Sequence, residues 1–183
     1  MVYISGGNEL IDAAKVFDRL GLKSGMQVAD LGCGGAGHFV IPAARLVGSM
    51  GLAYAVDILK SALQSVASKA RLEGINNVKT VWSNLEVAGA TNISAASLDM
   101  DFLINILFQS QNHQAIIQEA TRLLKPKGSL LVIDWNKTPT PFGPPAVDRV
   151  AVEEIKTLAQ KAGLKLTDEF AAGTYHFGLI FQK

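Results

Sequence analysis

The sequence predicts an α/β fold, a three-layer sandwich whose mostly parallel sheet is covered by helices on both faces and closed by an antiparallel hairpin. Three observations predict it. Five short apolar strands alternate with amphipathic helical stretches, and strands separated by helices pair in parallel through crossover connections. One strand, Leu130 to Trp135, is a near-continuous apolar run, as expected of a sheet buried on both faces. The chain finishes with Leu164 to Phe170 and Tyr175 to Phe181 around Ala171-Ala172-Gly173-Thr174. Tyr175, Phe177, Leu179 and Phe181 alternate at period two, which is a hairpin signature.

Taken in order, residues 9 to 20 place Leu10, Ala13, Ala14, Phe17 and Leu20 at helical spacing, with Gly21 as the stop. Gln27 to Leu31 is an apolar strand that runs into Gly32, Gly34, Gly35 and Gly37. The helix that follows carries Phe39, Ile41, Ala44 and Leu46, with Pro42 in its first turns, where a missing N–H does least harm. Leu52 to Val56 is a second strand closed by Asp57, and Leu63, Val66, Ala67 and Ala70 mark one face of the next helix. Val78 to Trp82 is a third strand, residues 86 to 97 read as loop, and Leu98 to Ile104 is a fourth strand. A helix from about His113 to Leu124 stops in Lys125-Pro126-Lys127-Gly128, which supplies a cation for the helix dipole and then two breakers. After the fifth strand, residues 136 to 148 hold four of the six prolines and form a long irregular loop. A last helix turns Ile155, Leu158, Ala159 and Ala162 inward before Gly163.

Composition narrows the classes of function. The 183 residues fit one domain, 1–183, whose first 24 residues read as a short N-terminal helix and lid. With 49% apolar and 18% charged residues the chain is neither disordered nor fibrous. Seventeen basic residues against sixteen acidic ones, without a basic stripe, give no signal for nucleic acid or an anionic membrane. The single cysteine excludes an intramolecular disulfide and a thiolate-rich zinc site. His38, His113 and His176 lack metal-ligand spacing, so no metal is expected. The opening Met-Val-Tyr-Ile-Ser-Gly-Gly does not resemble a leader, and no apolar run approaches the ~20 residues that span a bilayer. A cytoplasmic location is the resulting expectation, as monomer or homodimer.

Ligands of such sheets bind outside the carboxyl ends of the strands. Asp30 to Gly37, Asp57, Asn84, Asn105 and Trp135 all fall at those ends. Gly32-Cys33-Gly34-Gly35-Ala36-Gly37 fits G-x-G-x-x-G between strand and helix, where glycines permit a tight turn and close approach of a ligand to the backbone. Asp57, twenty residues beyond Gly37, is placed to accept hydrogen bonds from ribose hydroxyls. The pair indicates an adenosine-containing cofactor, either S-adenosylmethionine or NAD. Asp30 beside the loop repels a pyrophosphate and suits a ligand with an ammonium group and a sulfonium. The Leu123-Leu124-Lys125-Pro126-Lys127-Gly128 stop and the closing hairpin, with no second nucleotide-binding half, point the same way.

At these residues the chain resembles the class I S-adenosylmethionine-dependent methyltransferases, and looks most like small stand-alone bacterial and archaeal members related to the ubiquinone/menaquinone-biosynthesis type. The resemblance runs from about residue 9 to the end. It implies a Rossmann-like seven-stranded sheet of order 3-2-1-4-5-7-6, the last-formed strand antiparallel. It further implies that Asp30, Gly32, Cys33, Gly34 and Gly37 line the methionine part of S-adenosylmethionine. Asp57 would hold the ribose and Ile58 would cover the adenine. Asn84 and Leu85 fall beside the adenine, Asn84 replacing the family's usual acid, and Asn105 beside the methyl-transfer site. The product would be S-adenosylhomocysteine and the acceptor a small molecule.

Methyl transfer from a sulfonium needs mainly alignment and exclusion of water, with a general base only where the acceptor must lose a proton. Candidates for positioning are Asn105, Gln109, Trp135 and Asn136. The loop from Asn136 to Asp148 is a candidate for acceptor recognition. Cys33 reads as a space-filling residue, although a helix N-terminus would lower its pKa. His38 reads as a packing residue, His113 as the opening of a solvated helix and His176 as structural. Phe39, Trp135 and Phe142 read as packing, with a cation–π contact to the sulfonium open to any near it. Two alternatives stand beside methyl transfer, an NAD-dependent oxidoreductase and a non-catalytic S-adenosylmethionine-binding protein.

Overall fold

The computed structural model describes residues 7–183. Residues 1–6, most of the stretch read above for a leader, lie outside the described residues. The sheet has seven strands, β1 (Gln27–Leu31), β2 (Leu52–Asp57), β3 (Val78–Trp82), β4 (Leu98–Ile104), β5 (Leu124–Trp135), β6 (Lys165–Ala171) and β7 (His176–Gln182). Their order is β3-β2-β1-β4-β5-β7-β6, as the resemblance implies. The first five are mutually parallel, so their carboxyl ends share one edge. β7 runs antiparallel to both β5 and β6.

Among the described residues five α-helices cover the sheet: α1 (Ala13–Leu20), α2 (Val40–Val47), α3 (Lys60–Leu72), α4 (His113–Leu123) and α5 (Val152–Lys161). Phe17, Val40, Ile41, Leu63 and Val66 pack with Val28, Phe102 and Ile133 on one face. Ile116, Ile117, Ile155 and Ala159 pack with Leu31, Leu103 and Val132 on the other. Burial of each large apolar side chain contributes about 1.5–3 kcal/mol, so the two faces, rather than helix propensity, hold these short helices.

Four details differ from the sequence reading. The first helix starts at Ala13, because Asp12 takes an extended backbone and its carboxylate caps Ala14 N and Lys15 N; Asn8–Leu10 forms a separate 3-10 turn that leaves Leu10 exposed. In α2 the buried stripe is Val40, Ile41, Ala43, Ala44 and Val47, and Leu46 points to solvent. Ala67 of α3 is likewise exposed, with Ala62 taking the inward place. The fourth concerns Lys125-Pro126-Lys127-Gly128, which lies inside β5 as an irregularity between the pairs Leu98↔Leu124 and Met100↔Ser129. Lys125 Nζ therefore bridges to Asp99 at 2.7 Å instead of capping α4. Gly128 is required there, since a Cβ would come within 3.0–3.2 Å of the carbonyls of Lys125, Leu98 and Asp99.

Two long connections are tied from the inside. Glu119 of α4 accepts from Gly89 N and Thr91 N, while Arg122 pairs with Glu119 and donates to Thr91 O. These bonds give the irregular loop 86–97 its path. Arg149 donates to Asn136 O, Thr138 O and Pro144 O and so closes the proline-rich loop into a ring.

Candidate functional site

The site is built where β1 and β2 end. Asp30 and Leu31 pair with Ala55 and Val56, and the backbone N–H groups of Gly32 and Cys33 both donate to Val56 O. The turn this produces puts Gly32, Gly34 and Gly37 at φ +88°, +60° and +60°, conformations that only glycine adopts without strain. Over Gly34 no described residue beyond its chain neighbours lies within 4 Å of a would-be Cβ, so a ligand can approach the bare backbone there. Gly32 is different: a Cβ would run into the side chain of Ile106, which follows β4.

Two carboxyl groups flank the loop. Asp57 accepts from Gly34 N at 2.9 Å through Oδ2 and from Leu59 N at 2.8 Å through Oδ1. A carboxylate has about four lone-pair sites, so Asp57 keeps acceptor capacity for a ribose diol. Asp30 is buried beneath the loop and accepts from Val40 N in the first turn of α2 at 3.1 Å. Burial pushes its pKa up, the Val40 N–H pulls it down and the Asp57 charge raises it again, leaving it at about 7. A cation seated above the loop would relieve that position by favouring the ionised form.

Beyond Asp57 the surface turns apolar. Ile58 and Trp82 are each 54% exposed, and Leu59 is exposed beside them. Trp82 Nε1 donates to Ile58 O at 2.8 Å, which fixes the chain as it leaves β2. This platform suits a planar heterocycle stacked next to a ribose. Trp82 was legible in the sequence only as the end of a strand; its register with Asp57 is what brings it to the site. Asn84, by contrast, caps its own turn by accepting from Glu86 N at 3.0 Å. Leu85 is buried in the core on the α4 and α5 face.

Cys33 is buried, and burial first, with the charges of Asp30 and Asp57, pushes its thiol well above the ordinary range. The space-filling reading therefore holds. His38 bonds Ile11 O at 3.0 Å and packs on Phe39. His113 does open α4, but it is partly buried and paired with Glu154 at 2.7 Å, not solvated.

At the neighbouring strand ends, Asn105 follows β4 in a left-handed conformation, φ +57°, with its N–H on Ile133 O. Its Nδ2 donates to Asn8 Oδ1 at 2.8 Å, and its carbonyl accepts from the exposed Gln109. Trp135 at the end of β5 is 2% exposed and lies against Gly7, whose Cβ, if present, would run into the indole. The pair Gly7-Asn8 thus joins Asn105 to Trp135. Asn136 points elsewhere: it donates to Thr174 O and accepts from Thr138 N, a turn-forming role.

A loop that exposes backbone, a carboxylate with spare acceptor capacity and an apolar platform lie together at one sheet edge, and the family comparison agrees with them. The family model described as a methyltransferase domain matches residues 22–171. The chain belongs to the S-adenosylmethionine-dependent methyltransferases. Among curated members of the family, the ubiquinone/menaquinone biosynthesis C-methyltransferase UbiE of Shewanella baltica is 36% identical over 121 residues, 64% of this chain and 45% of that protein. The same enzyme of a Marinomonas species is 31% identical over 136 residues, covering 73% and 52%. The chain thus spans about half the length of the curated relatives it matches. A crystal structure of an S-adenosylmethionine-dependent methyltransferase from Aquifex aeolicus superposes with a TM-score of 0.85 at 27% identity, covering 96% of this chain and 92% of that one. The [4+2]-cyclase SpnF shares the fold at a TM-score of 0.79 and 16% identity, over 96% of this chain and 80% of its own. The family's cofactor is S-adenosylmethionine.

Proposed function

We propose that the chain transfers the methyl group of S-adenosylmethionine to a small-molecule acceptor, releasing S-adenosylhomocysteine. The observation that carries this is Asp57 bridging the end of β2 to Gly34 N beside an open glycine turn. In this reading Gly32, Cys33, Gly34 and Gly37 line the methionine part over Asp30, Asp57 holds the ribose, and Ile58 with Trp82 forms the adenine platform. Asn84 and Leu85 shape the adenine edge from behind. Asn105 and Trp135 border the acceptor, and Gln109 and Asn136 act on them through the backbone. The described chain works as one unit, the segment through residue 24 serving as its cover, in the cytoplasm. Among the described residues no helix is long and apolar enough to cross a membrane.

When bound, the cofactor supplies an electrophilic methyl group on a sulfonium that is already a good leaving group. The chain's task is then alignment and exclusion of water. The indole of Trp135 and the Gly7-Asn8 backbone close one side, and Asn105 fixes the end of β4 on the other. Asp30 balances the cationic end of the ligand as its carboxyl ionises.

Calorimetric titration with S-adenosylhomocysteine and with NADH tests the reading. Binding of the former and not the latter is expected. Asp57→Ala should weaken it by about 1–3 kcal/mol, the worth of charged hydrogen bonds. Unchanged affinity in a variant with an unaltered circular-dichroism spectrum would remove the ribose role.

A further inference from the structure

The carboxyl end of β5 carries a cluster of polar groups that cofactor binding leaves unused. Trp135 pairs with His176 across β5 and β7, and the two rings lie tilted at 43° with centroids 4.3 Å apart. Their exposures are 2% and 1%, yet among the described residues Trp135 Nε1 and both ring nitrogens of His176 have no hydrogen-bond partner. Leaving a buried polar group unpaired costs about as much as a hydrogen bond is worth or more. Phenylalanine at position 176 would fill similar space without that penalty, so packing alone does not account for the histidine.

Arg149 completes the cluster. Its guanidinium lies 5.7 Å from the centre of the Trp135 ring. Nε and Nη1 are spent on the carbonyls of Pro144, Asn136 and Thr138, while Nη2 takes no part in those bonds. Gly143, in the loop that Arg149 ties, lies so close to the indole that a Cβ would overlap its six-membered ring, as at Gly7. Asn8 then connects the cluster to Asn105 at the end of β4, beside the reading's methyl-transfer position.

The chemistry of the three side chains selects the ligand. An indole N–H and a guanidinium only donate, and the guanidinium brings a positive charge. Burial, and then the Arg149 charge, depress the His176 pKa to about 4, so at neutral pH its ring is uncharged and offers one N–H and one lone pair. Asp134, the adjacent carboxyl on β5, has its oxygens on Trp135 N and Phe108 N, and its side chain alternates to the opposite face of the strand. The cluster is therefore rich in donors, positive and free of a competing anion. We infer that Trp135, His176 and Arg149 form the subsite for a carboxylate carried by the methyl acceptor, an assignment that rests on the methyl-transfer reading above.

Benzoate and benzamide, equal in size and shape but different in charge, are the probes. They are titrated calorimetrically into the full chain saturated with S-adenosylhomocysteine. Benzoate is expected to bind at least roughly tenfold more tightly than benzamide. His176→Phe and, separately, Trp135→Phe should each weaken benzoate by about tenfold. Both should keep S-adenosylhomocysteine affinity, and His176→Phe should unfold at an equal or higher temperature, because two buried unpaired nitrogens have been removed; Trp135→Phe should unfold lower, since it empties the space that Gly7 and Gly143 leave for the indole. Equal binding of the two probes, no benzoate binding at millimolar concentration, or unaltered benzoate affinity in both variants would overturn the subsite and leave ordered water as the occupant. Failure to bind S-adenosylhomocysteine itself would instead overturn the methyl-transfer reading, so the two failures are distinguishable.

Discussion

Gly32→Ala tests the turn on which the site depends. The glycine sits at φ +88°, with its N–H on Val56 O at 2.7 Å, so the turn cannot relax without losing a buried backbone bond. An L-residue in left-handed backbone costs about 1–2 kcal/mol. The added methyl also meets Cδ1 and Cγ1 of Ile106, and overpacking of this kind costs about 1–3 kcal/mol. The sum, about 2–5 kcal/mol, is a large part of a typical stability of about 5–15 kcal/mol. Urea unfolding followed by circular dichroism should show the midpoint falling at constant slope. The steric part can be separated, because Ile106→Ala makes room for the methyl but leaves φ unchanged. The double variant should therefore recover about 1–3 kcal/mol relative to the sum of the single changes. A Gly32→Ala protein within about 1 kcal/mol of the wild type would refute the claim that backbone conformation and close approach select this glycine. Absence of coupling to Ile106 would refute the contact.

Two further perturbations concern buried charge. Asp30 has a folded pKa of about 7 against an ordinary value of 3.8, so its contribution to stability is greatest below 3.8 and is lost as pH rises toward 7. Asp30→Asn keeps an acceptor for Val40 N, and its urea midpoint should gain on that of the wild type across this window and hold the gain above it. Calorimetry should find its S-adenosylhomocysteine affinity lowered; equal pH profiles for the two proteins would contradict the burial argument. In Glu119, burial pushes the carboxyl up, but the Arg122 guanidinium and the N–H groups of Gly89 and Thr91 outweigh it and hold the pKa at about 2. The stabilisation is thus present above the ordinary value of 4.5 and lost as pH falls toward 2. Glu119→Gln should lower stability at neutral pH by about 1–3 kcal/mol and flatten the acid limb of a stability–pH curve. An unchanged limb would show that the ion pair does not order the 86–97 loop.

The sequence by itself determined the alternation of strands and helices, the glycine turn and the two acids beside it, because each is written in local spacing. Apolar residues at three and four, or at two, report which face of a helix or strand is buried, and G-x-G-x-x-G reports a turn that the backbone of six residues can make alone. Local spacing was less reliable at helix starts and margins, where one capping carboxylate at Asp12 or one step around α2 shifts the assignment. Tertiary structure decided what touches what. Trp82 became part of a platform because β3 places it opposite Asp57, and Glu119 was bound to a loop that lies about thirty residues earlier in the chain. His176 met Trp135 only because β7 pairs antiparallel with β5, bringing together residues that the sequence separates by a helix and a strand. Such contacts depend on the order and register of the sheet, which is fixed by the burial of both faces at once and leaves no periodic trace at the residues that meet.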